Sequence, residues 1–211
     1  MSLVKYNNNS ISAITTAGQL ASGSMVLIKE QTASNDSTVS FVDGSSDVVL
    51  DNTYPIYLFK FINVNAVSGA TTPNFSFNAS DDSSSHSYDI TKTSTAVQSW
   101  HKEDGSNYGL FYNTSFDLAQ STAFQQMGFG DGNTDADASG SGELYLINPS
   151  STTFVKHFIA TFQNCASDPS SERDLVAGYF NTTSALTGMQ FKYDSGNIDS
   201  GTIKLYGIKD S

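Results

Sequence analysis

Residues 186–209 read Leu-Thr-Gly-Met-Gln-Phe-Lys-Tyr-Asp-Ser-Gly-Asn-Ile-Asp-Ser-Gly-Thr-Ile-Lys-Leu-Tyr-Gly-Ile-Lys. In the first half Met189, Phe191 and Tyr193 fall on one face and Gln190, Lys192 and Asp194 on the other. In the second half Ile203 and Leu205 alternate with Thr202, Lys204 and Tyr206. A two-residue period is that of a half-buried strand. Ser195-Gly196-Asn197 supplies turn chemistry between the two runs, so the stretch is expected to form an antiparallel pair whose apolar faces close a sandwich core. Two separate strands joined by a loop are the alternative, and the fold class is the same.

The chain upstream has the same pattern. Strands are expected at Met25–Lys29, Thr38–Val42, Val48–Leu50, Asn74–Asn78, Tyr108–Tyr112, Glu143–Ile147, Thr153–Gln163 and Leu175–Phe180. Tyr54–Val64 is the most apolar segment; its Tyr57, Phe59 and Phe61 alternate against Leu58, Lys60 and Ile62, as a central strand requires, and Pro55 stands at its start, where a missing amide is tolerated. Tyr88–Trp100 reads partly as strand and partly as turn or short helix, and Ala119–Met127 as an irregular or briefly helical link. About ten strands at this spacing predict an all-β chain, a single antiparallel β-sandwich of jelly-roll type over residues 25–211. Residues 1–24 read as an extended arm, either a lead-in to the domain or a tether lying on a neighbouring subunit.

Composition narrows the function classes. Ten Lys plus Arg against 21 Asp plus Glu give a net charge of −11, without the basic stripe that phosphate binding needs, so no nucleic-acid partner is expected. There is no basic-then-apolar leader and no apolar run near the roughly 20 residues that span a bilayer, so membrane insertion is not expected. Cys165, the only cysteine, cannot form an internal disulfide bridge and reads as a small buried side chain near the end of an alternating run.

Few residues suggest chemistry. Asp131, Asn133, Asp135 and Asp137 place an oxygen side chain at every second position, like the first half of a calcium loop. The match breaks at Ala136, where glycine is wanted, and at Gly142, where a bidentate Glu is wanted. A solvated turn-rich loop and a weak calcium site are the two readings, with calcium the sole candidate cofactor. Gly128-Phe-Gly-Asp-Gly lacks the Lys-Ser/Thr of a phosphate loop, and His86, His101 and His157 have no partners at ligand spacing. No Gly-x-Ser-x-Gly elbow occurs, and Glu30, Glu103, Glu143 and Glu172 are equally unmarked, so no enzymatic activity is expected. Trp100, His101 and Tyr108 are the aromatic candidates for stacking on a glycan; the alternative for Trp100 is a plug at one end of the sandwich.

Several phrases resemble a known family. Ser40-Phe-Val-Asp, Tyr57-Leu-Phe-Lys-Phe-Ile-Asn-Val, Trp100 with Gly-Ser-Asn-Tyr108, and the C-terminal Gly-Met-Gln-Phe and Gly-Thr-Ile-Lys-Leu-Tyr-Gly-Ile-Lys are similar to structural proteins of marine tailed phages, cyanophages among them. The resemblance covers most of residues 25–210 and implies a non-enzymatic virion component. It transfers no catalytic position, and related domains occur in head decorations, head fibres and tail appendages. The expected role is a capsid-exterior decoration or cement protein, or a head appendage. Its partners would be capsid or appendage proteins and further copies of itself, in a small symmetric oligomer with a trimer first in line. The alternative is a receptor-binding module of a fibre, reading host surface glycans through loops 81–86, 101–107 and 128–142.

Overall fold

In the computed structural model, which describes residues 24–70, 73–129, 138–166 and 169–209, the most apolar segment is β3 (Ile56–Ala66), inside an eight-stranded sheet. The other strands are β1 (Met25–Asp36), β2 (Val39–Val42), β4 (Asn74–Ser80), β5 (Lys92–Lys102), β6 (Tyr108–Tyr112), β7 (Gln125–Phe129), β8 (Gly140–Ile147), β9 (Lys156–Ala166), β10 (Ser170–Phe180), β11 (Gly188–Tyr193) and β12 (Ile198–Ile208). The large sheet runs β1-β12-β3-β8-β9-β10-β5-β6 and the small one β2-β11-β4-β7, every neighbouring pair antiparallel. The chain is an all-β antiparallel sandwich. Members of β1/β2, β3/β4, β7/β8 and β11/β12 lie on opposite sheets, an alternation consistent with a jelly roll; β9, β10, β5 and β6 extend one edge of the large sheet. The arm expected over 1–24 lies outside the described residues, apart from Ser24.

Aromatic side chains join the layers. Phe191 of β11 packs against Phe59 and Phe61 of β3 at 5.0 and 5.1 Å between ring centroids, and Phe41 and Phe75 complete its surroundings. Toward the added strands Phe77 meets Phe158 edge-on at 5.1 Å, and Phe75 stacks on Phe162 at 5.4 Å. All of these rings are buried. Such pairs add roughly 0.5–1.5 kcal/mol each beyond the burial of their area.

The antiparallel pair expected over 186–209 is not a hairpin. β11 bonds to β2 and β4, whereas β12 bonds to β1 and β3, so Ser195-Gly196-Asn197 carries the chain around a corner from one sheet to the other. Both apolar faces do reach the core, because strands on facing layers present the same period-two pattern as partners in one layer. The corner is held by the Tyr193 hydroxyl donating to the Val64 carbonyl at 3.3 Å and by a register slip in β12 around Ser200. Gly201 follows the slip at φ +124°, where a Cβ would lie 2.7 Å from Val64 Cα, so glycine is required on both counts.

Four local expectations are corrected. Val48 to Leu50 is no strand: it closes a turn in which the Val48 amide donates to Ser45 O and the Leu50 amide to Asp43 Oδ1, with both apolar side chains buried. Strand β7 begins inside the link expected to be irregular, and Met127 is buried. Phe154 precedes β9 and is exposed. Cys165 is exposed: in β9 the even positions Phe158, Ala160 and Phe162 face the core, so an odd position points outward.

The same parity turns two lysines inward. Phe180 stands opposite Lys92 on one side and Lys156 on the other, and both lysines are fully buried. Their aliphatic stems pack in the core while the amines reach carbonyls at the sheet's end: Lys92 donates to Ala123 O, and Lys156 to Phe154 O at 2.9 Å and Thr182 O at 3.2 Å. Burial lowers both pKa values, that of Lys92 to about 7.

Candidate binding surface

The added strands create the surface of most functional interest, the outer face of the large sheet. Antiparallel pairing sets cross-strand neighbours side by side, and the register extends them into rows. Toward β1 one row is charged: Glu30, Lys204, Lys60 and Glu143 stand successively opposite one another, with Lys204 2.9 Å from Glu30 and Lys60 3.5 Å from Glu143. It reads as an ordinary solvated face, each exposed pair contributing little to stability.

The adjacent row is apolar. Leu27, Tyr206, Leu58, Tyr145, Ile159 and Ala177 lie opposite one another across six strands, and Leu58 is buried although it faces outward. On the added strands Leu175, Val97 and Tyr112 form a second apolar row. Ile159, Leu175 and Tyr112 are exposed. The Tyr112 hydroxyl donates to Asp117 Oδ2 at 2.8 Å, and that bond to a carboxylate raises the phenol's pKa.

Next to the apolar rows the face becomes polar. Gln163, Arg173, Ser99 and Leu110 form one row, and Cys165, Ser171, His101 and Tyr108 the next. The Gln163 amide donates to Ser171 Oγ at 2.9 Å, and Arg173, the chain's only arginine, lines a shallow concavity with Ser99, His101, Gln163 and Ser171. His101 and Tyr108 stack at 5.9 Å with planes 26° apart.

Of the three aromatic residues singled out in the sequence, the fold brings His101 and Tyr108 together and places Trp100 on the opposite face. Trp100 covers Gly109, where a Cβ would meet its indole at 2.1 Å, and contacts Phe111 edge-on at 5.4 Å. Of the three loops expected to read a glycan, 81–86 and 101–107 lie at opposite ends of the large sheet, and residues 130–137 of the third lie outside the described residues. Loop 102–107 lies at the end of the sheet where β8 begins, and the Glu103 amide donates to Pro169 O. Loop 81–86 lies at the other end, beside Thr182, which donates to Asp81 Oδ2 at 2.7 Å. There Asp82 accepts from the Ser84 amide and from the Ser84 and Ser85 hydroxyls, which hold its carboxyl far below the usual carboxylate range. Asp131, Asn133, Asp135 and Asp137 lie outside the described residues. Among the described residues no group of three or more His, Cys, Asp or Glu side chains is placed to hold a metal ion.

Arg173, Gln163, Ile159 and Leu175 were not singled out in the sequence. Alternation shows that they share their strands' outward faces, but only the strand order makes them neighbours. The chain matches no protein-family model, no curated protein and no solved structure.

Proposed function

We propose that the protein is a non-enzymatic structural component of a phage virion that docks on the capsid exterior, as decoration, cement or head appendage, through the outer face of its large sheet. The observation that carries this reading is the apolar row from Leu27 to Ala177, flanked by exposed Leu175 and Tyr112, on strands rather than loops. Large contiguous apolar patches mark interaction sites, and a sheet face presents one with little conformational entropy left to lose. Capsid proteins and further copies of the chain are the partners this reading assigns. The family resemblance supplies the virion setting.

Labelled protein should decorate purified heads, and Ile159→Asp with Leu175→Asp should reduce its occupancy at least about tenfold, since two charges would be desolvated at the contact. Binding to heads that is unchanged in this double variant, or imaging that finds the protein absent from virions, overturns the proposal.

The second reading, a glycan-binding module, is favoured by the stacked His101 and Tyr108 beside Arg173, Gln163 and Ser171, an aromatic platform next to amide, hydroxyl and guanidinium groups. In that case purified protein should bind host cells and block phage adsorption, and Tyr108→Ala with Arg173→Ala should abolish both. Adsorption undiminished at saturating protein removes this reading.

A further inference from the structure

Strand β6 ends the large sheet with the sequence Tyr108-Gly109-Leu110-Phe111-Tyr112. The Asn113 amide donates to Ala96 O and the Lys102 amide to Asn107 O, which makes Tyr112/Val97 and His101/Tyr108 the widely spaced pairs of the ladder. Gly109 and Phe111 therefore bond inward to β5, while the amides and carbonyls of Tyr108, Leu110 and Tyr112 point away from the sheet. Among the described residues none of these six groups has a backbone partner. The strand also lacks what natural edges use to repel a further strand: it has no lysine, no proline and no register slip. Tyr108 at 72% and Leu110 at 73% are the most exposed large apolar side chains among the described residues of the sheet, and Tyr112 is exposed at 48%.

We infer that β6 is a pairing edge for a second copy of this chain, joined antiparallel about a two-fold axis at Leu110. The strand is nearly palindromic around that residue. Pairing there sets Leu110 opposite Leu110 and Tyr108 opposite Tyr112 of the second copy, all as hydrogen-bonded pairs, so the three outward residues of each copy exchange six backbone bonds. Shifting the register by one residue would oppose outward groups to inward ones and lose them. On the other face Phe111 of the second copy falls opposite Gly109, over the Trp100 indole that fills the missing side chain's place. The strand itself has no charged side chain, which matters for two copies each carrying −11. Such isologous contacts are self-complementary by symmetry.

Taking the exposed fractions of Tyr108, Leu110, Phe111 and Tyr112 as an upper bound, the pair buries at most roughly 900 Å² in total, the size of a weak, transient association. The dimer is therefore concentration-dependent in solution and favoured where copies are held close together. This inference is independent of the virion reading and leaves the outer face of β1, β12, β3, β8, β9 and β10 available.

The test is a sedimentation-equilibrium dilution series on the full chain, with thermal melts to show that each variant folds. Wild type is expected to pass from monomer to dimer with rising concentration. Leu110→Lys places two ammonium groups at the axis and should weaken the dimer at least about 100-fold. Leu110→Pro removes only an outward amide and should weaken it as well, with the β5–β6 ladder intact. Asp199→Lys, on β12 toward the other edge of the sheet, should leave the dimer unchanged. In a Cys165→Ser background, Leu110→Cys should cross-link to itself on mild oxidation faster than Asn107→Cys. Wild type that remains monomeric up to about 1 mM, a dimer indifferent to Leu110→Lys, or one in which Cys at 110 does not cross-link would each overturn the inference.

Discussion

Lys92 makes stability depend on pH in a direction opposite to that of a lysine held in an ion pair, whose pKa is raised. Its amine is fully buried at the start of β5, donates to Ala123 O, and lies 5.8 Å from the centroid of the Phe180 ring. Burial pulls its pKa from 10.5 to about 7, and Asp89 offsets only part of that. Between those values the unfolded chain holds the proton and the folded chain has released it, so raising the pH stabilises the fold. The slope approaches about 1.4 kcal/mol per pH unit, and the whole window corresponds to a ceiling of about 5 kcal/mol. Lys156 is shifted the same way and adds to the slope. Tyr57 and Tyr193 have raised pKa values, so they destabilise the fold only once the unfolded phenols ionise, near pH 10 and above. Melting temperature measured from pH 7.5 to 9.5 should therefore rise by roughly 5–10 °C in wild type. Lys92→Met, which keeps the stem and removes the charge, should flatten most of that rise and melt higher than wild type at pH 7. A wild-type melting temperature that is level or falling across this range, or a slope undiminished in Lys92→Met, refutes the reasoning.

Phe191→Ala should destabilise the fold by about 3–5 kcal/mol in denaturant titration, because the ring contacts both layers and the cavity cannot collapse without moving β3. Gly201→Ala should lose more than the roughly 1 kcal/mol of an ordinary left-handed glycine site, since the new methyl group meets Val64 backbone as well as an unfavourable φ; equal melting of variant and wild type would show that the corner relaxes. The oxygen-rich run from Asp131 to Asp137 predicts a rise in melting temperature with added calcium that disappears in Asp131→Ala; no rise at millimolar calcium removes that site.

The sequence was a good guide wherever side-chain period alone decides the answer. Tyr57, Phe59 and Phe61 alternate cleanly and are all buried; so do Met189, Phe191 and Tyr193. Parity even places Lys156 among the phenylalanines of β9, a position that a hydrophobicity average would move to the surface. Cys165 shows the limit of careless use, since its odd position already marked it as outward-facing. The corner at residues 195–197 was not legible, because a hairpin and a sheet-to-sheet crossing both need a polar turn between two alternating runs. What separates them is the identity of the partners, β2 and β4 for one strand, β1 and β3 for the other, and those partners lie as far along the chain as Met25 from Ile208, 183 residues.

The same limit applies more strongly to the binding surface. A period of two divides each strand into an inner and an outer set, but it does not say which outer sets become neighbours. Ile159 and Leu175 are unremarkable in their own strands; a single apolar residue on a solvated face needs no explanation. They become part of a patch only because β9 and β10 are inserted beside β8, which aligns Ile159 with Tyr145, Leu58 and Tyr206. The edge at β6 follows similarly. Tyr108, Leu110 and Tyr112 share one parity in the sequence, but whether their amides point to a neighbour or to solvent depends on which residue of β5 stands opposite. A one-residue change in that register would turn Gly109 and Phe111 outward and remove the self-complementary pairing. The register of one short hairpin thus decides whether this sheet ends or continues into a second copy.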